Sequence, residues 1–142
     1  LTNPADDYVQ NFINTVNSCR VLSVRNVMST PTCMVRKGEG AAVALRNMRN
    51  CGVSSAYVVN EHMHFVGIIT LDGALRIQSG KATVEDVLIT NVPIIEDVNT
   101  SVADITQLSA DTPFPLPVID KDGVFCGIVT KASVLSSFVL NS

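Results

Sequence analysis

The sequence predicts a mixed α/β (α+β) fold: two tandem β-α-β-β-α repeats related by pseudo-two-fold symmetry, behind an N-terminal lead-in helix. Three observations predict it. The phrase "FVGIIT" at 65–70 returns as "FCGIVT" at 125–130. Laid on itself at an offset of 60, the chain matches without a gap from Val24 to Leu75. "VRNVMST" (24–30) falls on "VEDVLIT" (84–90), "YVVN" (57–60) on "PVID" (117–120), and Leu75 on Leu135. In both copies the apolar pattern alternates between strand-like runs and helical spacing in the same order. The chain divides into a lead-in over 1–22, a first repeat over 23–80 and a second over 81–142.

The lead-in "NPADDYVQNFINTV" has Asn3 as a cap and Pro4 at the first helical position. Asp6 and Asp7 follow in the first turn, where the helix dipole favours acids. In the first repeat "TCMV" (32–35) is a short strand, and Ala41, Ala44, Leu45 and Met48 mark an amphipathic helix over 39–50. Gly52 stops that helix, "AYVVN" (56–60) and "FVGIIT" form two strands around the turn "EHMH", and Thr70 caps a helix ending near Gly80. The second repeat predicts a strand "VPII" (92–95), a helix over 100–110 and a hairpin around Asp122-Gly123. A last helix runs through Val134, Leu135 and Phe138. Continuous apolar strands such as "VGII" and "CGIV" want sheets covered on both faces, which one unit alone cannot supply.

Among 142 residues, 46% are apolar and 16% charged, a core-rich composition that excludes disorder. No apolar run approaches the ~20 residues of a membrane span, and no leader pattern is present. Cys19, Cys33, Cys51 and Cys126 lie 14, 18 and 75 residues apart, which is neither a metal-ligand spacing nor a disulfide framework. They are expected to be buried free thiols in a reducing cytosol. The net charge of −3 divides into +3 over residues 1–83 and −6 over 84–142, so equivalent surfaces differ. Nothing is basic enough to call for nucleic acid.

A tandem β-α-β-β-α unit with G-[apolar]-[apolar]-T closing each third strand resembles the CBS domain pair, or Bateman module, over residues 24–140. The lead-in "NPADDYVQNFI" and the stretch "PLPVIDKDGVFCGIVTKASVL" look like ATP-binding subunits of glycine betaine/L-proline ABC importers. The resemblance implies a cytoplasmic regulatory piece at the inner face of the membrane, joined to an upstream ABC ATPase domain within a transporter complex. It further implies a homodimer through the helices after each G-x-x-T motif, along Leu71, Leu75, Val134, Leu135 and Phe138. A generic adenine-nucleotide or cyclic di-AMP sensor on another enzyme or channel is the alternative.

In CBS pairs that hold adenine nucleotides the motif continues as Gly-x-x-Thr/Ser-x-x-Asp, with the hydroxyl on phosphate and the Asp on ribose. Thr70 and Thr130 match the hydroxyl, but Gly73 and Ser133 stand at the Asp position and Asp72 is one residue early. Helix capping is the plainer role of both threonines and the favoured one. The clefts implied beside them are walled by Cys33, Met34, Val53, Ser54, Ser55 and Ala56, and by Ile94, Ile95, Phe114, Pro115 and Leu116. Phe114 could stack on a base or serve a core or dimer contact. His62 and His64 read as a solvated turn, no metal site is called for, and the set Arg36, Lys37, Arg46 and Arg49 is a solvated face or a membrane-facing one. No nucleophile–base pair stands out, and no G-x-x-x-x-G-K-[ST] loop cradles phosphates, so catalysis is not expected here.

Overall fold

Cys33 leads into a short strand because Val35 must face the core while its neighbours reach solvent. The computed structural model of the chain describes residues 22–140, the side chains of 138–140 excepted. The expected lead-in helix lies outside the described residues. The first repeat contains β1 (Met34–Arg36), a 3-10 turn (Lys37–Glu39), α2 (Ala41–Cys51), β2 (Ser55–Val59), β3 (Phe65–Thr70) and α3 (Leu71–Gln78), preceded by a one-turn helix α1 (Val24–Val27). The second begins with another one-turn helix, α4 (Val84–Val87), then α5 (Val102–Asp111), β4 (Leu116–Ile119), β5 (Phe125–Val129) and α6 (Lys131–Leu140). Gly52 ends α2 in the left-handed region at φ 69°, where a glycine carries no Cβ penalty.

β1 runs parallel to β2, and β2 antiparallel to β3 with Ser55 opposite Thr70. In the second repeat the expected strand "VPII" is not formed. Only Ile95 bridges β4, donating its N–H to the Pro117 carbonyl and accepting from Ile119 at 2.9 Å. Tyr57 shows why: in the first repeat its N–H donates to the Cys33 carbonyl at 2.9 Å, and Pro117, sixty residues on, has no N–H to give. The two repeats also depart from a strict offset of 60 in one place. α2 buries Ala44 and Met48 while α5 buries Ile105 and Ser109, each 61 residues on, so α5 is advanced by one residue.

The segments leading into each repeat cross over to the other. Ser29 pairs with Ile128 of β5, and Ile89 pairs with Ile68 of β3. Val24 is fully buried in the second repeat's core with Val102, Ile105, Leu116, Val129 and Val134, while Val87 and Leu88 pack on the first repeat's core around Cys33, Ala44, Met48 and Ala56. Tyr57, Val59, Ile68, Phe125 and Ile128 form a third cluster where the repeats meet. This cluster buries the sheet faces that single repeats would leave bare. The pseudo-axis passes near the bridge between His64 and Val124, which are themselves sixty apart.

Candidate functional site

The first-repeat cleft residues converge through the sheet. The Ser54 carbonyl accepts from the Leu71 N–H at 2.8 Å, which ties the start of β2 to the start of α3. Met34 lies opposite Tyr57 in the parallel ladder, and Ser55 opposite Thr70. Cys33 and Ala56 are buried, Val53, Ser55 and Thr70 half-buried, and Met34, Ser54 and Asp72 exposed. Thr70 Oγ1 accepts from the Gly73 N–H at 3.0 Å, so the hydroxyl is a working helix cap whose proton remains free to donate elsewhere. At Gly73, where the resemblance would put a ribose-binding Asp, a Cβ would stand 3.1 Å from Val87 Cβ and 3.3 Å from Thr70 Oγ1. The crossing helix α4 therefore occupies the room an aspartate would need.

In the second repeat Leu116 is buried opposite Val129, and Ile94, Phe114, Pro115, Thr130 and Ser133 are half-buried. Thr130 Oγ1 accepts from the Ser133 N–H at 3.0 Å, and the Ser133 hydroxyl donates to the Thr130 carbonyl at 2.9 Å. Phe114 packs on the inter-repeat cluster. The Tyr57 hydroxyl crosses from the first repeat and donates to the Pro115 carbonyl at 2.8 Å, and burial pushes its pKa upward. Each cleft is thus braced by the opposite repeat.

The glycines of the repeated phrase have their own geometric reason. A Cβ on Gly67 would stand 2.7 Å from the Ile89 carbonyl oxygen, and one on Gly127 would stand 3.0 Å from that of Ser29. Only glycine lets the crossing segment pair so closely with the third strand. The crossing helices themselves carried a legible signal that the repeat pattern overshadowed: Thr83-x-x-Asp86 is a capping box, with Thr83 N–H donating to Asp86 Oδ2 at 2.9 Å, and Ser23-x-x-Asn26 repeats its position, with Ser23 N–H donating to Asn26 Oδ1 at 3.0 Å.

Two surface clefts escaped the sequence reading. One, of about 520 Å³, is lined by Arg36, Lys37, Gly38, Glu39, Asn60 and Glu61. The other, of about 530 Å³, is lined by Arg25, Glu96, Asp97, Val98, Asn99, Asp120 and Lys121. Apart from Arg25 the linings are the same positions sixty residues apart, with the sign of charge reversed at Arg36/Glu96, Lys37/Asp97 and Glu61/Lys121. The basic set is divided by the fold: Arg46 and Arg49 belong instead to a groove with Leu45, Leu71 and Leu75. Cys33 alone of the described cysteines is buried, and Cys51 and Cys126 are exposed, which corrects the expectation of buried thiols. Val134 is also buried, at 3% exposure, and so leaves the expected apolar stripe, whereas Leu71, Leu75 and Leu135 are 40%, 49% and 65% exposed. Among the described residues no helix is long and apolar enough to cross a membrane, and no group of three or more His, Cys, Asp or Glu could hold a metal ion.

The CBS domain profile matches residues 24–80 and again 84–139, the two units that the crossover segments join. The chain belongs to the CBS domain family. This CBS pair is 32% identical over 138 residues to a glycine betaine/carnitine transport ATP-binding protein of Listeria monocytogenes, covering 96% of this chain and 34% of the relative. It is 28% identical over 142 residues to the glycine betaine transport ATP-binding protein of Bacillus subtilis, covering 100% of this chain and 34% of the relative. The chain spans about a third of the length of these curated relatives. The CBS pair shares its fold with Staphylococcus aureus OpuCA at a TM-score of 0.67 and 19% identity, over 78% of this chain and 93% of the other. It also shares it with CbpB, solved in complex with c-di-AMP, at a TM-score of 0.79 and 20% identity, over 93% and 94% of the two chains.

Proposed function

We propose that this CBS pair is the regulatory module of the ATP-binding subunit of an osmoprotectant importer for glycine betaine or proline. In this reading it sits in the cytoplasm at the inner face of the membrane and gates transport in response to ionic strength or an adenine-containing nucleotide. The likeness of the whole chain to one third of glycine betaine transport ATP-binding proteins carries the assignment. The remaining two thirds of such a protein would supply the ATPase. A full-length gene product without a G-x-x-x-x-G-K-[ST] loop would sink the reading.

Two features bear on the signal. The reversed charges of the equivalent clefts make any contact between them, or with the ATPase domain, sensitive to salt, because screening shortens from ~10 Å at 0.1 M to ~3 Å at 1 M. Gly73, crowded by Val87, and Ser133 stand where the motif would put an aspartate, so neither repeat offers the ribose a carboxylate there, which disfavours tight binding of ATP or AMP. A cyclic di-AMP held by backbone amides and by Thr70 or Thr130 needs no such acceptor. Calorimetry with ATP, AMP and cyclic di-AMP at low and physiological salt tests this. No saturable AMP or ATP binding is expected in the micromolar range, and a micromolar affinity abolished by Thr70→Ala or Thr130→Ala would overturn it. The second reading, a nucleotide or cyclic di-AMP sensor attached to another enzyme or channel, draws on the fold shared with CbpB.

A further inference from the structure

The helix pairs of the two repeats carry opposite charge on a shared apolar plan. In the first repeat α2 and α3 enclose a groove of about 580 Å³, lined by Ala42, Leu45, Arg46, Arg49, Leu71 and Leu75 among others. α2 carries these two arginines and no acid. In the second repeat α5 carries Asp104 and Asp111 and no base. The one-residue advance of α5 sets Gln107 where α2 has Arg46, and Ala110 where it has Arg49. Asp104 and Asp111 lie one turn to either side of Gln107, both exposed, and Gln107 Nε2 donates to Asp111 Oδ1 at 2.9 Å. The sign reverses again at the helix entrances, where Asp72 stands in the first turn of α3 and Lys131 opens α6. Leu135 on α6 takes the place that Leu75 holds beside the groove and stands 65% exposed.

We propose that two copies of the chain associate antiparallel, the basic α2/α3 face of each on the acidic α5/α6 face of the other. The proposal rests on the homodimer expected through these helices and adds which face meets which. A parallel two-fold dimer sets like faces together, so Arg46 and Arg49 confront their own copies and Asp104 and Asp111 confront theirs. The antiparallel dimer sets arginines against aspartates instead, twice over by symmetry. Opposed like charges penalise the wrong arrangement while opposite charges favour the right one, so charge decides orientation where apolar area alone does not. Shape points the same way. The first face is concave around Leu71 and Leu75, whereas the second offers Leu135 as a projecting side chain. The basic, apolar groove calls for an acidic surface that carries an exposed leucine, and this chain has one.

Light scattering of the full chain over a dilution series reads the charge pattern. Arg46→Glu with Arg49→Glu should weaken the dimer by about tenfold, and Asp104→Lys with Asp111→Lys by a similar factor. All four side chains are exposed, so neither variant disturbs a core. All four changes in one chain should bring association back to within about threefold of the parent, because opposite signs face each other again. In a parallel dimer each paired change only replaces one like-charge contact by another, so paired variants that associate as the parent does would overturn the orientation. Raising salt from ~0.05 to ~0.5 M should weaken the parent dimer, and a stronger dimer at high salt would overturn it too. Orientation can also be read covalently in a background of Cys19→Ser, Cys51→Ser and Cys126→Ser. A short bismaleimide should join Ala42→Cys chains to Ala103→Cys chains when the two are mixed. Covalent dimers of the Ala42→Cys chain alone would overturn the proposal. A parent that is monomeric at tens of micromolar overturns dimer and orientation together, whereas a dimer indifferent to charge reversal overturns the orientation alone.

Discussion

Gly67 was legible as part of a repeated motif, but its reason was not, because the atom that demands a glycine belongs to residue 89. Its missing Cβ would sit 2.7 Å from the Ile89 carbonyl. Gly67→Ala is therefore expected to lose about 1–3 kcal/mol in urea denaturation, the usual range for overpacking against a part that cannot yield. Gly38→Ala is the matched control: nothing lies within 4 Å of the place its methyl group would take, and the change should stay within about 0.5 kcal/mol. Thr70 and Thr130 were legible as caps from their place at the strand–helix junction, and both cap. Cys33 adds a pH signature. Its folded pKa is raised to about 12, chiefly by burial, so the folded state holds a proton that the unfolded thiol releases. That contribution is complete below the unfolded pKa of about 8.5 and is lost as pH rises toward 12, because the unfolded state binds fewer protons there. Under reducing conditions Cys33→Ala should flatten the fall in stability above pH ~9, as read by denaturation at several pH values. An unchanged slope would place the alkaline sensitivity elsewhere, with Tyr57 the next group to test.

At the scale of elements, the strands and long helices followed from periodicity and turn residues, but their partners did not. A one-turn helix such as α1 has too few residues for a periodic signal, and a crossover between repeats leaves no trace in spacing. "VPII" read as a strand from its apolar run, yet what shortens its ladder is Pro117, which lies on the receiving strand. The crossover has a consequence for dissection. Residues 22–29 lead into and open the first repeat in sequence but belong to the second in space: Val102 N–H donates to the Leu22 carbonyl at 2.8 Å, Val24 N–H to the Thr100 carbonyl at 2.9 Å, and Ser29 exchanges bonds with Ile128 at 2.9 Å. Removing residues 1–29 is expected to strip hydrogen-exchange protection from Val102 and Ile128 while Val58 and Ile69 in the first repeat keep theirs. Val24→Asp should do the same with a single charge, since the site is fully buried within an apolar cluster. Loss of protection confined to the first repeat would contradict the reciprocal crossing.

For the whole molecule, Leu71, Leu75 and Leu135 remain exposed at 40%, 49% and 65% after both repeats have buried their cores. Leu71 and Leu75 open onto a groove of about 580 Å³ with Leu45, Arg46, Arg49 and Gln78. The proposed homodimer would use this face, and its strength can be bounded. Half-exposed leucines recover about 1 kcal/mol each on burial, and a two-fold interface counts each residue twice, giving roughly 6 kcal/mol from three positions. Association costs at least about 4 kcal/mol in lost rigid-body freedom, so these leucines alone cannot hold a tight dimer. Contacts around them, including Arg46 and Arg49, must supply the remainder, and the dimer should be concentration-dependent in the micromolar range. Leu75→Asp removes its burial from both copies and sets a charge in each apolar face. It should weaken association by about a hundredfold or more, equivalent to about 2.7 kcal/mol. Light scattering across a dilution series is expected to show the parent chain passing from dimer to monomer and Leu75→Asp monomeric throughout. The charged clefts lie apart from this groove in their linings, so raising salt should change the dimer less than the leucine substitution does. A parent chain that is monomeric at tens of micromolar would remove the dimer and leave this face to another partner, one whose surface is apolar and weakly acidic to complement Arg46 and Arg49.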